Sequence, residues 1–533
     1  MFESVRDSIG VKNQGKLPFA DARRSLRKQV DHIIEEKRMS ADMLFMSTYM
    51  AAITTAGVTR PEIFSYTSER SEYVPTRYIA KVEHFVKRWN YSYAEGLKIV
   101  AEKTRNDALK SLLNRYGNAI ESGIPDEDFL ERELETMRTI YRNSLEQGLE
   151  MLKKWGDAYI AMLFSGALVA LIIMLSVAIF SPGGIQGIEG TLNSSYAIIL
   201  IISIFGLVIM YRAVPEDPKT HGLAERCSWE QTMIRRLERP IFIATVGASL
   251  LLFLIGVNAG VIFIMIGVMV APLGIIGFLD DGLIVGRDRD FPTFIRSLGS
   301  VMGGKGVPVT QALADIDRKS LDAICPLIDA TYSKLNLGLN DTGVWERFIG
   351  ESGSNYIYKY MNIFRDAVAL GGSPDRIGQI VHTSMLEQVL LREKRHMIAM
   401  GFISLLVPMH AAMVAILMFL FAIMLTMSKA IQSVMATLGE NQAALSGGST
   451  VGSMASGMNM FVNFPEPEMT AYVVIIITLI TISNIMAGKI VYGGDRYIVY
   501  LFTAILATLS GIIYLVAPIV VGMFFNFPSF TGV

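Results

Sequence analysis

A stretch of some twenty residues occurs twice, and this repeat constrains the fold more than any other feature. MLFMSTYMAAITTAGVTRPEIF runs from Met43 to Phe64, and PTFIRSLGSVMGGKGVPVTQAL from Pro292 to Leu313. At an offset of about 249 residues, Phe45 falls on Phe294, Tyr49 on Leu298, Ile53 on Met302 and Gly57 on Gly306. Each copy has the apolar i, i+4, i+8 spacing of an amphipathic helix. Each then stops at a glycine, the residue that tolerates a left-handed C-terminal cap. The register holds further on, where Ser122-Gly123-Ile124-Pro125-Asp126 meets Gly371-Gly372-Ser373-Pro374-Asp375. Two motifs this far apart in one register argue for a duplicated helical domain. Gly57, Gly123 and Pro125, with Gly306, Gly372 and Pro374, are its expected structural caps.

Between and after the copies the chain is too apolar for a soluble protein, at 51% apolar residues and a mean hydropathy of +0.40 over 533 residues. Runs long enough to cross a bilayer as helices lie near 158–180, 194–213, 241–257, 260–279, 397–427, 470–490 and 497–522. The first 40 residues are charged and have no apolar core, so none of these is a signal peptide. The expected architecture is all-α: a basic arm over 1–40, a cytoplasmic helical bundle over 41–157, and four spans within 158–279. A second bundle over 280–396 and three spans within 397–533, with an outer loop at 428–469, complete it.

Lys and Arg set the orientation. Residues 1–157 carry 25 of them, 214–240 carry 5 and 280–396 carry 14, whereas 181–193, 428–469 and 523–533 together carry only Lys429. The short loops obey the positive-inside rule and the long segments agree, which predicts a cytoplasmic N-terminus and an outer C-terminus. Cys227 and Cys325 then both lie on the reducing side, without metal-site spacing. Asn193-Ser194-Ser195 is a glycosylation sequon on the outer side.

On the arm, Arg23, Arg24, Arg27 and Lys28 are closely packed, either as a solvated helix or as a contact for anionic headgroups or an acidic partner. From Phe129 to Lys154 one stripe carries Leu130, Leu134, Met137, Tyr141, Leu145, Leu149 and Leu152. Pro125 suits its first turn, and Asp126, Glu127 and Asp128 suit the positive end of the helix dipole. The second copy repeats this with Ser373, Pro374, Ile377, Ile380, Val381, Leu386 and Leu390. Each bundle's last helix is therefore expected to lead into a span and to form a stiff mechanical link.

The spans are poor in charge. Asp280 and Asp281 fall at the inner end of the fourth, and His410, beside Pro408, reads as satisfying a carbonyl freed by that proline, or alternatively as a proton site. Pro272, Pro408 and Pro518 are expected to kink their helices. Gly256 to Gly260 matches GxxxG but falls on a tight turn. Gly299 to Lys305 reads G-x4-G-K, yet it lacks the following Ser or Thr of a phosphate loop and aligns with a helix. Catalytic and acidic metal motifs are not evident, so neither an enzyme nor a cofactor is expected.

The doubled pattern F-x3-(Y/L)-x3-(I/M)-x3-G-V, followed by S/G-G-x-P-D, resembles the type II secretion system F domain family. TTAGVTRPEIF is especially similar to its archaeal members, as are the several spans between copies and the basic arm. The resemblance implies a non-enzymatic membrane platform of an archaellum or, alternatively, an adhesion pilus. It further implies a homodimer, a hexameric secretion ATPase docked on the cytoplasmic bundles, pilin-like filament subunits, contact with membrane lipid and no nucleic acid. Arg23, Arg24, Arg27, Lys28, Arg60 and Lys305 are the candidate ATPase-docking residues. A secondary transporter is the reading from another class, and it would need polar groups at mid-membrane.

Overall fold

The computed structural model describes residues 18–180, 185–213, 217–223, 227–442 and 464–524. Among these residues there are sixteen helices and no strand, only an isolated bridge between Thr220 and Ser354. The protein is all-α. The first six helices are α1 (Pro18–Thr54), α2 (Arg60–Glu69), α3 (Thr76–Trp89), α4 (Tyr93–Glu102), α5 (Asp107–Glu121) and α6 (Asp126–Phe180). Two apolar helices follow, α7 (Ile185–Ala213) and α8 (Trp229–Leu254). The six-helix order then returns as α9 (Ala259–Lys305), α10 (Val309–Asp315), α11 (Cys325–Asn336), α12 (Asp341–Ser352), α13 (Asn355–Ala369) and α14 (Pro374–Gln442). The last two are α15 (Glu466–Tyr492) and α16 (Ile498–Phe524).

Helices α6, α7, α8, α9, α14, α15 and α16 are long and apolar enough to cross a membrane, by length and composition. They coincide with the seven expected runs. Two boundaries differ from expectation. α1 passes through residue 40 without a break, so arm and bundle share one helix. α14 continues to Gln442, so the expected outer loop begins as helix; its residues 443–463 lie outside the described residues.

Two compact units are present, one ending at Tyr141 and the other beginning at Arg142. In the first unit, Phe45, Tyr49 and Ile53 of α1 are each at most 2% exposed. Phe64 sits 4.6 Å from the Tyr93 ring and 5.6 Å from Tyr116, which stacks on Phe129 at 4.9 Å. Burying each such side chain contributes roughly 1.5–3 kcal/mol, so this aromatic centre holds the short helices that propensity alone would leave marginal. Local chemistry sets their ends. Thr59 with Glu62, and Ser92 with Glu95, form capping boxes that open α2 and α4. Backbone hydrogen bonds from Thr59 and Ser92 hold both glutamates below the usual carboxylate range.

The structure refines the repeat. Gly57 and Gly306 have φ of 66° and 64° at equivalent helix ends, a left-handed conformation in which a Cβ is strained. At the next turn the left-handed residues are Gly123, φ 71°, and Gly371, φ 94°, not Gly372. Gly372 is the following residue, donating its N–H to Ala367 O as Ile124 does to Ala119 O. The second copy has one more residue between this cap and its proline, so a single register cannot align both. Pro125 precedes α6 and Pro374 opens α14.

In the second unit, the stripe on α14 departs from a purely apolar reading. Leu386 and Leu390 are 36% and 55% exposed, whereas Ile377, Val381, Ser384, Met385, Gln388, Val389 and Arg392 are buried. Ser384, Gln388 and Arg392 share the inward face, and the two leucines point away from it. The spans pack through glycine. A Cβ on Gly267 of α9 would lie 2.1 Å from Thr508 Oγ1, and one on Gly274 would lie 2.7 Å from Leu501 Cα, both on α16. Gly260 meets Leu515 in the same seam, and Gly256 takes φ 78° in the α8–α9 turn. The seam lets two backbones approach without a side chain between them. The helices α9, α14 and α16 continue through Pro272, Pro408 and Pro518. Gly299 to Lys305 forms the last turns of α9, where Gly299 lies against Pro374 O; the segment is a helix-packing surface.

Candidate functional site where the spans meet the second bundle

Helices α9 and α14 each pass from a span into the second bundle, so the place where they meet determines whether bundle and spans move together. Three buried polar clusters lie there. Hydropathy puts Asp280 and Asp281 at the end of an apolar run, and consecutive helical residues point about 100° apart. Asp281 receives Lys219 Nζ at 2.7 and 2.9 Å and the Tyr492 hydroxyl at 2.9 Å. The Lys219 ammonium also lies 4.9 Å from the centre of the Tyr492 ring. Asp280 turns to α8 instead, accepting from Ser228 Oγ at 3.0 Å and Gln231 Nε2 at 3.2 Å. Ser228 is the N-cap of α8, so one hydroxyl ties that helix start to α9.

About two turns further along α9, Asp288 meets Arg392 of α14 at 2.6 Å and Ser354 of the α12–α13 turn. Arg392 also lies over the Tyr356 ring at 3.6 Å from its centroid. The link 217–223, between the second and third spans, clamps the same turn. Asn355 N–H donates to Lys219 O at 2.8 Å, and His221 Nε2 lies 3.0 Å from Gly350 O. Burial lowers the His221 pKa, which favours the neutral ring. Thr220 Oγ1 donates to Asp495 in the α15–α16 turn at 2.7 Å. In that turn Gly493 has φ 73°, and an added Cβ would meet Arg395 Cζ at 2.6 Å. Arg395 Nη2 donates to Ile490 O at 3.0 Å. The arrangement joins the bundle-side ends of the α8, α9, α14 and α15 spans to one turn of the bundle. Its chemistry is mechanical: these side chains fix positions by paired charge.

Within the spans, polarity is greater than charge suggested. Asn484 Nδ2 lies 3.0 Å from His410 Nδ1, and His410 Nε2 lies 2.8 Å from Ser510 Oγ. Tyr159 reaches Ser483 at 3.0 Å and Asn484 at 3.2 Å. His410 is thus held by side chains of other helices rather than by a carbonyl freed at Pro408, because α15 and α16 bring donors and acceptors to it. Ser195 of the sequon is buried, 2.6 Å from Tyr472 OH. Cys227 and Cys325 are free thiols. Among the described residues no group of three His, Cys, Asp or Glu gathers to hold a metal.

The sequence-selected cations sit on separate elements. Arg60 lies 3.0 Å from Asp126, which also accepts from Tyr116 OH at 3.1 Å, so it braces α2 against the start of α6. Lys305 is exposed and pairs with Asp315 at 2.8 Å. Arg23, Arg24, Arg27 and Lys28 fall on the first part of α1. These clusters escaped sequence reading because their partners are up to 275 positions apart. The visible signal was polar residues at inward positions of α14.

Comparison with known proteins matches the first bundle and the span after it. Residues 46–174 fit the family model described as type II secretion system (T2SS), protein F. The chain is 22% identical over 334 residues to a flagella accessory protein J of Methanococcus voltae, covering 59% of this chain and 58% of that one. It is 20% identical over 373 residues to the protein of that name in Methanocaldococcus jannaschii, covering 68% of this chain and 66% of the relative. The matched part thus spans less than two thirds of either relative's length. No solved structure matches. With apolar helices following both bundles and the match over residues 46–174, this multi-pass membrane protein carries a type II secretion system F domain and is similar to the flagella accessory protein J relatives.

Proposed function

We propose that the chain is the membrane platform of an archaeal type IV pilus-like machine, and specifically of an archaellum. One observation carries this reading: the six-helix order occurs twice, and each time its last helix, α6 or α14, runs unbroken into an apolar span. A force applied to either bundle would reach the membrane through a continuous helix. In this reading a hexameric secretion ATPase engages the bundles from the cytoplasm, with the N-terminus inside and the C-terminus outside. Pilin-like subunits are drawn from the bilayer beside the spans, and two copies of the chain, surrounded by lipid, form the working platform. The likeness to flagella accessory protein J supports the archaellum over an adhesion pilus.

The arm cations Arg23, Arg24, Arg27 and Lys28, together with Lys305, are the proposed contacts for the ATPase. Arg60 belongs to this set by position, but its bond to Asp126 makes its reversal a test of folding as well. Reversing the four arm cations and Lys305 to Glu is expected to weaken co-purification of the secretion ATPase and to stop filament assembly, while membrane insertion is unchanged. Normal ATPase capture and normal filaments in that variant would refute the docking assignment. Labelling of a cysteine at Ser320 by a membrane-impermeant reagent in intact cells would refute the orientation.

A further inference from the structure

We infer that the α3–α4 hairpin of the first bundle is a docking groove for an acidic peptide segment that carries an apolar anchor. The inference does not depend on the platform reading; it holds for any cytoplasmic protein that presents such a segment. A cavity of about 480 Å³ opens between the two helices. Tyr78, Phe85 and Val100 form its apolar lining, and Lys81, His84 and Lys103 stand around it. The apolar surface continues beyond the cavity. Phe85 packs against Trp89 at 6.4 Å and against Tyr91 at 6.2 Å, and these two rings are 65% and 40% exposed. A bundle that buries Phe45, Phe64 and Tyr116 leaves Trp89 and Tyr91 exposed, and Lys81 and Lys103 have no carboxylate partner among the described residues. Lys81 instead lies over the Tyr78 ring, 4.9 Å from its centre.

The duplication provides an internal control. Asn90 and Gly338 are the left-handed residues that follow α3 and α11, and counting from them in the sequence pairs Lys81, His84 and Lys103 with Asp329, Tyr332 and Glu351. In the second bundle Glu351 is neutralised internally, by Arg347 at 2.5 Å and Lys334 at 4.0 Å. The same hairpin therefore folds without a basic rim, and the rim of the first copy is not there for folding. Residues 76–105 hold seven Lys or Arg against three acids, whereas 324–353 hold two against four. The cations of the first copy flank a concave apolar floor from two helices. That geometry matches a peptide side chain inserted between carboxylates, whereas a flat charged bilayer surface would not fill the cavity.

The test uses the full chain in zwitterionic nanodiscs and a labelled peptide of Asp and Glu flanking one Phe. The variant K81D/K103E introduces the second bundle's own residues, which this fold already accommodates, and an unchanged melting curve verifies that it folds. Fluorescence anisotropy is expected to show binding about tenfold weaker or more in the variant, since two attractions become repulsions. Replacing the peptide's Phe by Ser should also weaken binding several-fold, and raising salt from about 0.1 to about 1 M should reduce it further. Equal affinity of wild type and folded variant would overturn the proposal. So would equal affinity for the Phe and Ser peptides, which would indicate diffuse charge attraction. If wild type and variant differ only in binding vesicles of anionic lipid, the surface is a membrane contact and the proposal fails.

Discussion

Removing Lys219 should cost far more than an ion pair is worth at the surface. Its side chain is 6% exposed and that of Asp281 is 10% exposed, with N–O distances of 2.7 and 2.9 Å. Two unit charges about 4 Å apart attract by about 4 kcal/mol at an effective dielectric of about 20. Taking both from water costs several kcal/mol per ion, so the intact pair adds little net stability. Breaking it is different. Lys219→Ala leaves the Asp281 carboxylate buried with the Tyr492 hydroxyl as its remaining contact, and such a loss typically costs about 3–5 kcal/mol. Lys219→Met combined with Asp281→Leu and Tyr492→Phe removes charge and partners together, and should stay within about 1–2 kcal/mol of wild type. The assay is unfolding in mixed micelles, read as a double-mutant cycle on Lys219 and Asp281. A coupling energy of about 2 kcal/mol or more is expected for residues in one network. If Lys219→Ala costs below about 1 kcal/mol, or the cycle shows coupling below about 0.5 kcal/mol, the pair does not hold the link to α9 and the reasoning is wrong.

Two further expectations rest on the same region and on the helix seam. Burial lowers the His221 pKa below its ordinary value of about 6.5, so the unfolded chain binds its proton more readily than the folded one. The stability owed to the neutral ring is therefore complete above about pH 6.5 and is lost as pH falls toward the lower folded value; His221→Gln should flatten the slope of the melting temperature between about pH 5 and 7, and an unchanged slope would exclude this residue as its source. In the seam, Gly267→Ala would place a methyl 2.1 Å from Thr508 Oγ1 and 2.9 Å from the Thr508 backbone N, forcing α9 and α16 apart. We expect a loss of about 1–3 kcal/mol, largely unrelieved by adding Thr508→Ala because the backbone clash remains; full rescue by Thr508→Ala would show that the side chain alone set the distance.

What the sequence determined by itself was everything written in consecutive residues. Helical period, runs of about twenty apolar residues and glycine caps are local quantities, and they led to the duplication and the seven candidate spans. The Leu130 to Leu152 stripe is buried as read, because an unbroken apolar face can only be satisfied one way. Where two demands compete, the local pattern was insufficient. Leu386 and Leu390 look like core but face outward, because the inward positions go to Ser384, Gln388 and Arg392, the last of which meets Asp288 on α9. Arg60 reads as a free surface cation and is occupied by Asp126, 66 positions away. Lys219, Asp281 and Tyr492 come from three separate segments, and none carries a motif. Only packing decides such pairings, since a buried charge takes whichever counter-charge the helices bring within reach, and that choice is a property of the assembled fold.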